Sequence, residues 1–225
     1  MSSRERLFAK ISTAVAGQPE RSGLADVKAR MASHRVNLMP GRADKPEPER
    51  FALFQQKCAE LGVTIDVLPD ANAVPAAVAA WLKQHNLPPR LRLAPDATVT
   101  GLDWSTVPLL ETDTGAAVIE DQVSLTPAFA GIAETGTLML QSSPDTPVTL
   151  NFVPDNHMVM LRRSQVMRAM EDAFGALRAG HGEGIMPRTV NLISGASRTG
   201  DVEQKIILGA HGPRRLHIML IDDLD

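Results

Sequence analysis

Three short segments bring together residue types suited to chemistry. In residues 133–140, AETGTLML, Glu134 stands beside Gly136 and next to the hydroxyls of Thr135 and Thr137, at the mouth of an apolar strand. A carboxylate so placed serves as base or nucleophile if neighbours tune it, and otherwise is a solvated turn residue. In residues 194–201, SGASRTGD, Ser194, Ser197 and Thr199 supply hydroxyls, Gly195 allows a ligand close to the backbone, and Arg198 offers a fork matching a carboxylate or phosphate. Asp201, with Gln204 three residues on, reads as the cap of a short helix whose free N–H groups would favour an anion. The competing reading of this segment is a hydrogen-bonded turn. In residues 209–215, GAHGPRR, His211 and Gly212 form a turn in which the imidazole can donate to an anion or move a proton, or merely decorate the surface.

These segments need elements to hold them. The prolines and charges of residues 40–49, PGRADKPEPE, predict a linker, dividing a helical appendage (residues 1–45, helices near 3–16 and 24–36) from a main domain at 46–225. Helical spacing follows at Phe51, Phe54, Cys58 and Leu61, closed by Gly62. Residues 63–67 alternate as a strand, 74–85 read as a helix, and 90–93 as a second strand, the pattern of a parallel α/β sheet with short turns. Short strands are predicted at 116–120, 132–141, 148–152 and 158–161, as hairpins grafted onto the sheet. A helix over 164–178 and two buried strands at 188–193 and 216–221 complete the pattern. The segment 194–201 would then leave the carboxyl end of a strand, where open α/β sheets bind ligands.

Composition narrows the function. A hydrophobic fraction of 44% excludes disorder over the whole chain. Lys and Arg number 23 against 26 Asp and Glu, and only 4% of residues are aromatic, so nucleic acid is not an expected partner. Cys58 is the one cysteine, which precludes an internal disulfide and an iron–sulfur cluster built from this chain's thiols. Its place on an apolar helical stripe reads as inert core. The six histidines show no metal-site spacing, and His217 inside a strand reads as packing, so no metal is expected. Residues 2–17 read as an amphipathic helix rather than a signal peptide, and no later stretch approaches a membrane span. A cytoplasmic, reducing setting is expected.

Taken together, AETGTLML at 133–140, LISGASRTGDVEQ at 192–204 and LGAHGPRRLHIMLID at 208–222 resemble the lactate-utilization protein C family, the LutC or YkgG group with a LUD domain. Ala196 stands where that family usually has proline, and Gly200 where it often has alanine. The resemblance implies a three-layer α/β sandwich related to the glucosamine-phosphate isomerase, ribose-phosphate isomerase and CoA-transferase group (NagB/RpiA/CoA-transferase-like). It also implies a part, with two iron–sulfur partner proteins, in oxidising L-lactate to pyruvate. With one thiol in this chain, the clusters would sit on the partners. Two readings follow: a non-redox component that docks to those partners and holds a small carboxylate or phosphate at Arg198 and Ser197, or a stand-alone CoA-transferase-like or phosphosugar-isomerase-like enzyme using Glu134.

Overall fold

The computed structural model describes residues 2–15, 23–33, 39–182, 185–202 and 205–224. The chain divides into two compact units, Met1–Leu38 and Met39–Asp225. The first holds α1 (Ser3–Val15) and α2 (Leu24–Ser33). Ser2 and Glu5 cap α1 reciprocally: the Glu5 amide donates to Ser2 Oγ at 3.2 Å, and Glu5 Oε2 accepts from the Ser2 amide at 2.7 Å.

In the second unit, apolar runs make the central strands. Asn156–Arg162 (β7) and Arg215–Ile221 (β12) read NHMVMLR and RLHIMLI, nearly continuous apolar sequences that suit strands buried on both faces. They lie at the middle of a six-stranded parallel sheet completed by β1 (Thr64–Leu68), β2 (Arg90–Leu93), β3 (Glu111–Thr114) and β4 (Val123–Pro127), in the order β1-β12-β7-β4-β2-β3. The chain crosses from β1 through α4 (Val74–Gln84) to β2, steps outward to β3, returns to β4, then moves the other way through β7 to β12. Connections therefore leave β2 and β4 in opposite directions, and the topological switch point lies between them. The four-residue helix α5 (Ala97–Thr100) follows β2.

Both faces of the sheet are covered. On one, Val78, Trp81 and Leu82 of α4 pack on Leu91, Leu125, Met158 and Met219. On the other, Phe54 and Cys58 of α3 (Glu47–Glu60) pack on Val159, Leu161, Ile218 and Leu220, together with Leu138 and Leu140. Those two leucines belong to a second sheet, order β8-β5-β6-β9, made of β5 (Ala130–Ile132), β6 (Thr137–Gln141), β8 (Val166–Met167) and β9 (Val190–Ile193). Its outer face is closed by Ala173 and Leu177 of α6 (Met170–His181). The α/β architecture with helices on both faces of a mostly parallel sheet agrees with the expected fold.

Several local expectations are corrected. Residues 40–46 do not form a free linker: Ala43 is buried, Asp44 pairs with Arg168 at 2.8 Å, and the chain enters α3 at Glu47. The strand expected at 116–120 is a turn, the strand being the polar Glu111–Thr114 just before it. Residues 148–151 form a 3-10 turn after Pro147. The strand expected over 132–141 breaks at 133–136, and the helix expected from 164 begins at Met170 because Val166 and Met167 pair with Gly131 and Ile132. β9 is half-exposed at the edge of the second sheet rather than buried in the first.

The close seat of α3 tests this packing. Gly136 has φ +64°, and a Cβ there would lie 2.8 Å from the Cys58 amide nitrogen, whereas a Cβ at Gly175 inside α6 meets nothing within 4 Å. Gly136→Ala is expected to destabilise the protein by roughly 2 kcal/mol or more. Gly175→Ala is expected to stabilise it by roughly 0.5–1 kcal/mol. Urea denaturation of both variants checks the contrast.

Candidate functional site

The first two motifs meet because β6 and β9 pair antiparallel, placing Leu138 opposite Ile193. The turn after β5 carries Glu134, Thr135 and Gly136, and the residue after β9 is Ser194. Thr135 and Thr137 share a hydrogen bond between their hydroxyls at 2.7 Å, and Thr137 shares another with Ser194 Oγ at 2.7 Å, giving a chain of three hydroxyls. Glu134 is held apart from this chain. Its amide donates to the Arg168 carbonyl at 3.0 Å, and its carboxylate, only 11% exposed, accepts from Arg42 Nη2 at 2.7 Å. A carboxylate so paired is a poor nucleophile.

The second motif departs from expectation. β10 (Arg198–Val202) and β11 (Lys205–Leu208) pair antiparallel, so among the described residues no helix N-terminus follows this motif to attract an anion. Ile206 and Ile207 favour a strand over a helix. Thr199 pairs with Ile207, while the side chain of Asp201 and the whole of Gln204 lie outside the described residues. Arg198 turns to the end of α3, where Nη2 donates to the Leu61 carbonyl at 2.9 Å and so satisfies a terminal helix acceptor. Gly195, with φ +92°, lies against that same end: a Cβ would stand 3.0 Å from the Leu61 oxygen.

The third motif folds over the second. The Ser197 amide donates to the Pro213 carbonyl at 2.8 Å, the Gly209 amide to the Ser197 carbonyl at 3.0 Å, and the His211 amide to Ser197 Oγ at 3.3 Å. A crevice of about 250 Å³ results, lined by Ser194, Gly195, Ser197, His211 and Gly212, with Phe152, Ile193 and Leu216 as apolar walls. Of the residues that the sequence singles out, these first five line it. Thr135 and Thr137 reach it through the hydroxyl chain, and Glu134 and Arg198 are engaged elsewhere.

Sequence reasoning missed His157, the second residue of β7, which also lines this crevice. Its Nε2 shares a 2.8 Å hydrogen bond with Thr126 Oγ1, whereas its buried Nδ1 has no partner among the described residues. Burial pushes the imidazole down to about 3, so the ring is neutral at pH 7. The signal was a histidine directly preceding the apolar run MVML of a central strand. His217 is likewise buried, on the other face of the sheet. There it shares a 2.7 Å hydrogen bond with Thr64 Oγ1, lies beside Trp81, and is pushed down to about 4 by burial. Cys58 is buried, with its thiol pushed up to about 12 by desolvation and Sγ 3.7 Å from the Gly136 carbonyl oxygen. The crevice thus offers hydroxyls, a backbone turn and the neutral His157 imidazole, and no lysine or arginine lines it among the described residues.

The neutral ring has a measurable consequence. Above pH 6.5 neither folded nor unfolded chain binds a proton at His157. Below that, the unfolded chain takes one up and the folded chain does not until about pH 3, so stability falls with falling pH. At about 1.4 kcal/mol per pH unit, this ring removes about 2 kcal/mol between pH 6.5 and 5. Urea denaturation is expected to show His157→Gln losing correspondingly less stability over that interval than the wild type.

A family model described as the LUD domain matches residues 53–221. The chain is 44% identical over 94 residues to an uncharacterized protein of Neisseria meningitidis serogroup B, covering 42% of this chain and 40% of that one. It is 31% identical over 107 residues to lactate utilization protein C of Exiguobacterium sp., covering 47% and 46%, and 28% identical over 102 residues to lactate utilization protein C of Bacillus subtilis, covering 45% and 42%. These matches span less than half the length of each relative. A crystal structure of a DUF162 family protein from Deinococcus radiodurans superposes with TM-score 0.59 at 24% identity, over 79% of this chain and 99% of that one, and shows the same fold. The family match runs from Leu53 in α3 to Ile221 at the end of β12 and takes in both sheets and all three motifs, so the chain belongs to the LUD domain family.

Proposed function

We propose that this protein is a non-redox component of an L-lactate utilization system, acting with iron–sulfur proteins in the oxidation of L-lactate to pyruvate, and that it binds a small ligand of that system. The observation that carries this reading is the similarity to proteins named lactate utilization protein C. The state of Cys58 supports the non-redox part. A thiol held protonated in the core does not ligate a metal, because the ligand is the thiolate. Clusters then belong to the partners, and this chain contributes surface and hydrogen bonds. In the hydroxyl crevice, Ser194, Ser197 and His157 grip ligand oxygens through uncharged donors.

The reading is tested in a deletion strain. Growth on L-lactate as sole carbon source is expected to fail without this protein and to return on complementation, and the protein is expected to co-elute with its iron–sulfur partners on size-exclusion chromatography. Unimpaired growth together with separate elution would contradict it. Glu134→Gln is expected to complement as well as the wild type, since the carboxylate is a paired structural group. Loss of growth with that variant while it remains folded would instead favour a catalytic carboxylate. The double variant Ser194→Ala, Ser197→Ala removes two donors and is expected to weaken ligand binding by 5-fold to 100-fold, corresponding to about 1–3 kcal/mol.

A further inference from the structure

The hydroxyl crevice lies at the amino ends of β7 and β12. A second crevice, of about 200 Å³, opens at the opposite edge, past the carboxyl ends of β4, β7 and β12 and beside the loop that follows β2. Its position coincides with the switch point between β2 and β4, where the diverging connections leave a gap and where open parallel sheets hold ligands. None of the three sequence motifs lines it; Gln141, the residue after the first motif, does.

Its lining contains one guanidinium and one carboxylate with capacity to bind. Among the described residues, the carboxylate nearest Arg162, the last residue of β7, is that of Asp223, 4.0 Å from Nη1. The neighbouring Arg163, by contrast, is engaged by both Glu47 and Asp222. Asp96 uses Oδ1 to accept from the Thr98 amide at 2.8 Å and from the Thr98 hydroxyl at 2.5 Å, which leaves Oδ2 without a partner among the described residues. Arg162 and Asp96 form no ion pair with each other, and the amide of Gln165 and apolar Met160 also line the space. Opposite charges facing one small cavity without neutralising each other suit a ligand that presents a group to each.

We infer that this switch-point crevice binds a small acid carrying a hydrogen-bond donor besides its carboxylate, with Arg162 taking the carboxylate and Asp96 Oδ2 accepting from the donor. The donor is a hydroxyl or an ammonium, and three-carbon acids with the same skeleton separate the cases. The assignment does not rest on the metabolic role proposed above, because the test measures binding to the isolated full chain.

Isothermal titration calorimetry at pH 7 with L-lactate, L-alanine, propionate and pyruvate provides that test. At least one of L-lactate and L-alanine is expected to bind ten-fold or more tightly than propionate and pyruvate, which lack the donor. Preference for lactate identifies a hydroxyl ligand, and preference for alanine an ammonium ligand. Arg162→Gln is expected to weaken binding ten-fold or more, and Asp96→Asn, which keeps the Thr98 contacts, to erase the preference over propionate. Circular dichroism of both variants verifies the fold. Equal binding of all four acids, no binding of any, or binding indifferent to Arg162→Gln would overturn the assignment.

Discussion

The architecture turns on how closely the carboxyl-terminal end of α3 approaches two glycine-bearing bends. Gly136 lies against the Cys58 amide at a separation that leaves no room for a Cβ, and Gly195 against the Leu61 carbonyl at one where a Cβ would be tight. Arg198 then donates to that same Leu61 carbonyl and closes the helix end. These contacts clamp the second sheet over one face of the first, burying Phe54, Leu138, Leu161 and Ile218 in a shared core. Burial of such side chains contributes about 1.5–3 kcal/mol each, so a clamp that keeps them together has leverage well beyond its own hydrogen bonds.

This arrangement recasts the family-like motifs. Much of their chemistry is architectural: two glycines and an arginine seat a helix, and Glu134 ties residue 42 to the second sheet through an ion pair. What remains for ligands is a set of hydroxyls and a neutral imidazole at one end of the parallel sheet. At the other end, Arg162 and Asp96 keep charge available. Among the described lining residues the two edges therefore differ in kind, one built of hydroxyls and imidazoles and one of an arginine and an aspartate. The difference follows from which side chains the fold has already engaged.

Legibility from sequence tracked how local each determinant is. The strands Thr64–Leu68, Arg90–Leu93 and Arg215–Ile221 and the helix Val74–Gln84 were readable because alternation, apolar runs and helical spacing are short-range signals. β3, with the sequence ETDT, was not, since an exposed edge strand lacks an apolar pattern. Val166 and Met167 read as the start of a helix yet pair with β5, a non-local choice that propensity does not encode. Segment 194–201 resembled a helix cap by its Ser, Gly and Asp content. Its actual partner is the strand after residue 204, whose isoleucines carried the decisive signal. Among the site residues, Ser194, Ser197 and Gly212 were legible from their motifs. His157, Asp96 and Arg162 come together with their crevices only through strand order, which no local pattern reveals.

The clamp is most directly tested by native-state hydrogen exchange. The amides of Val63, bonded to the Cys58 carbonyl, and of Ser197 and Gly209, bonded to the Pro213 and Ser197 carbonyls, report on the helix end and on the Gly195 bend with the turn folded over it. If these contacts hold the sheets together, all three amides open only with the central strands β7 and β12, at the same free energy as global unfolding. Exchange of Ser197 and Gly209 at near-unprotected rates, while β7 and β12 stay protected, would contradict the clamp.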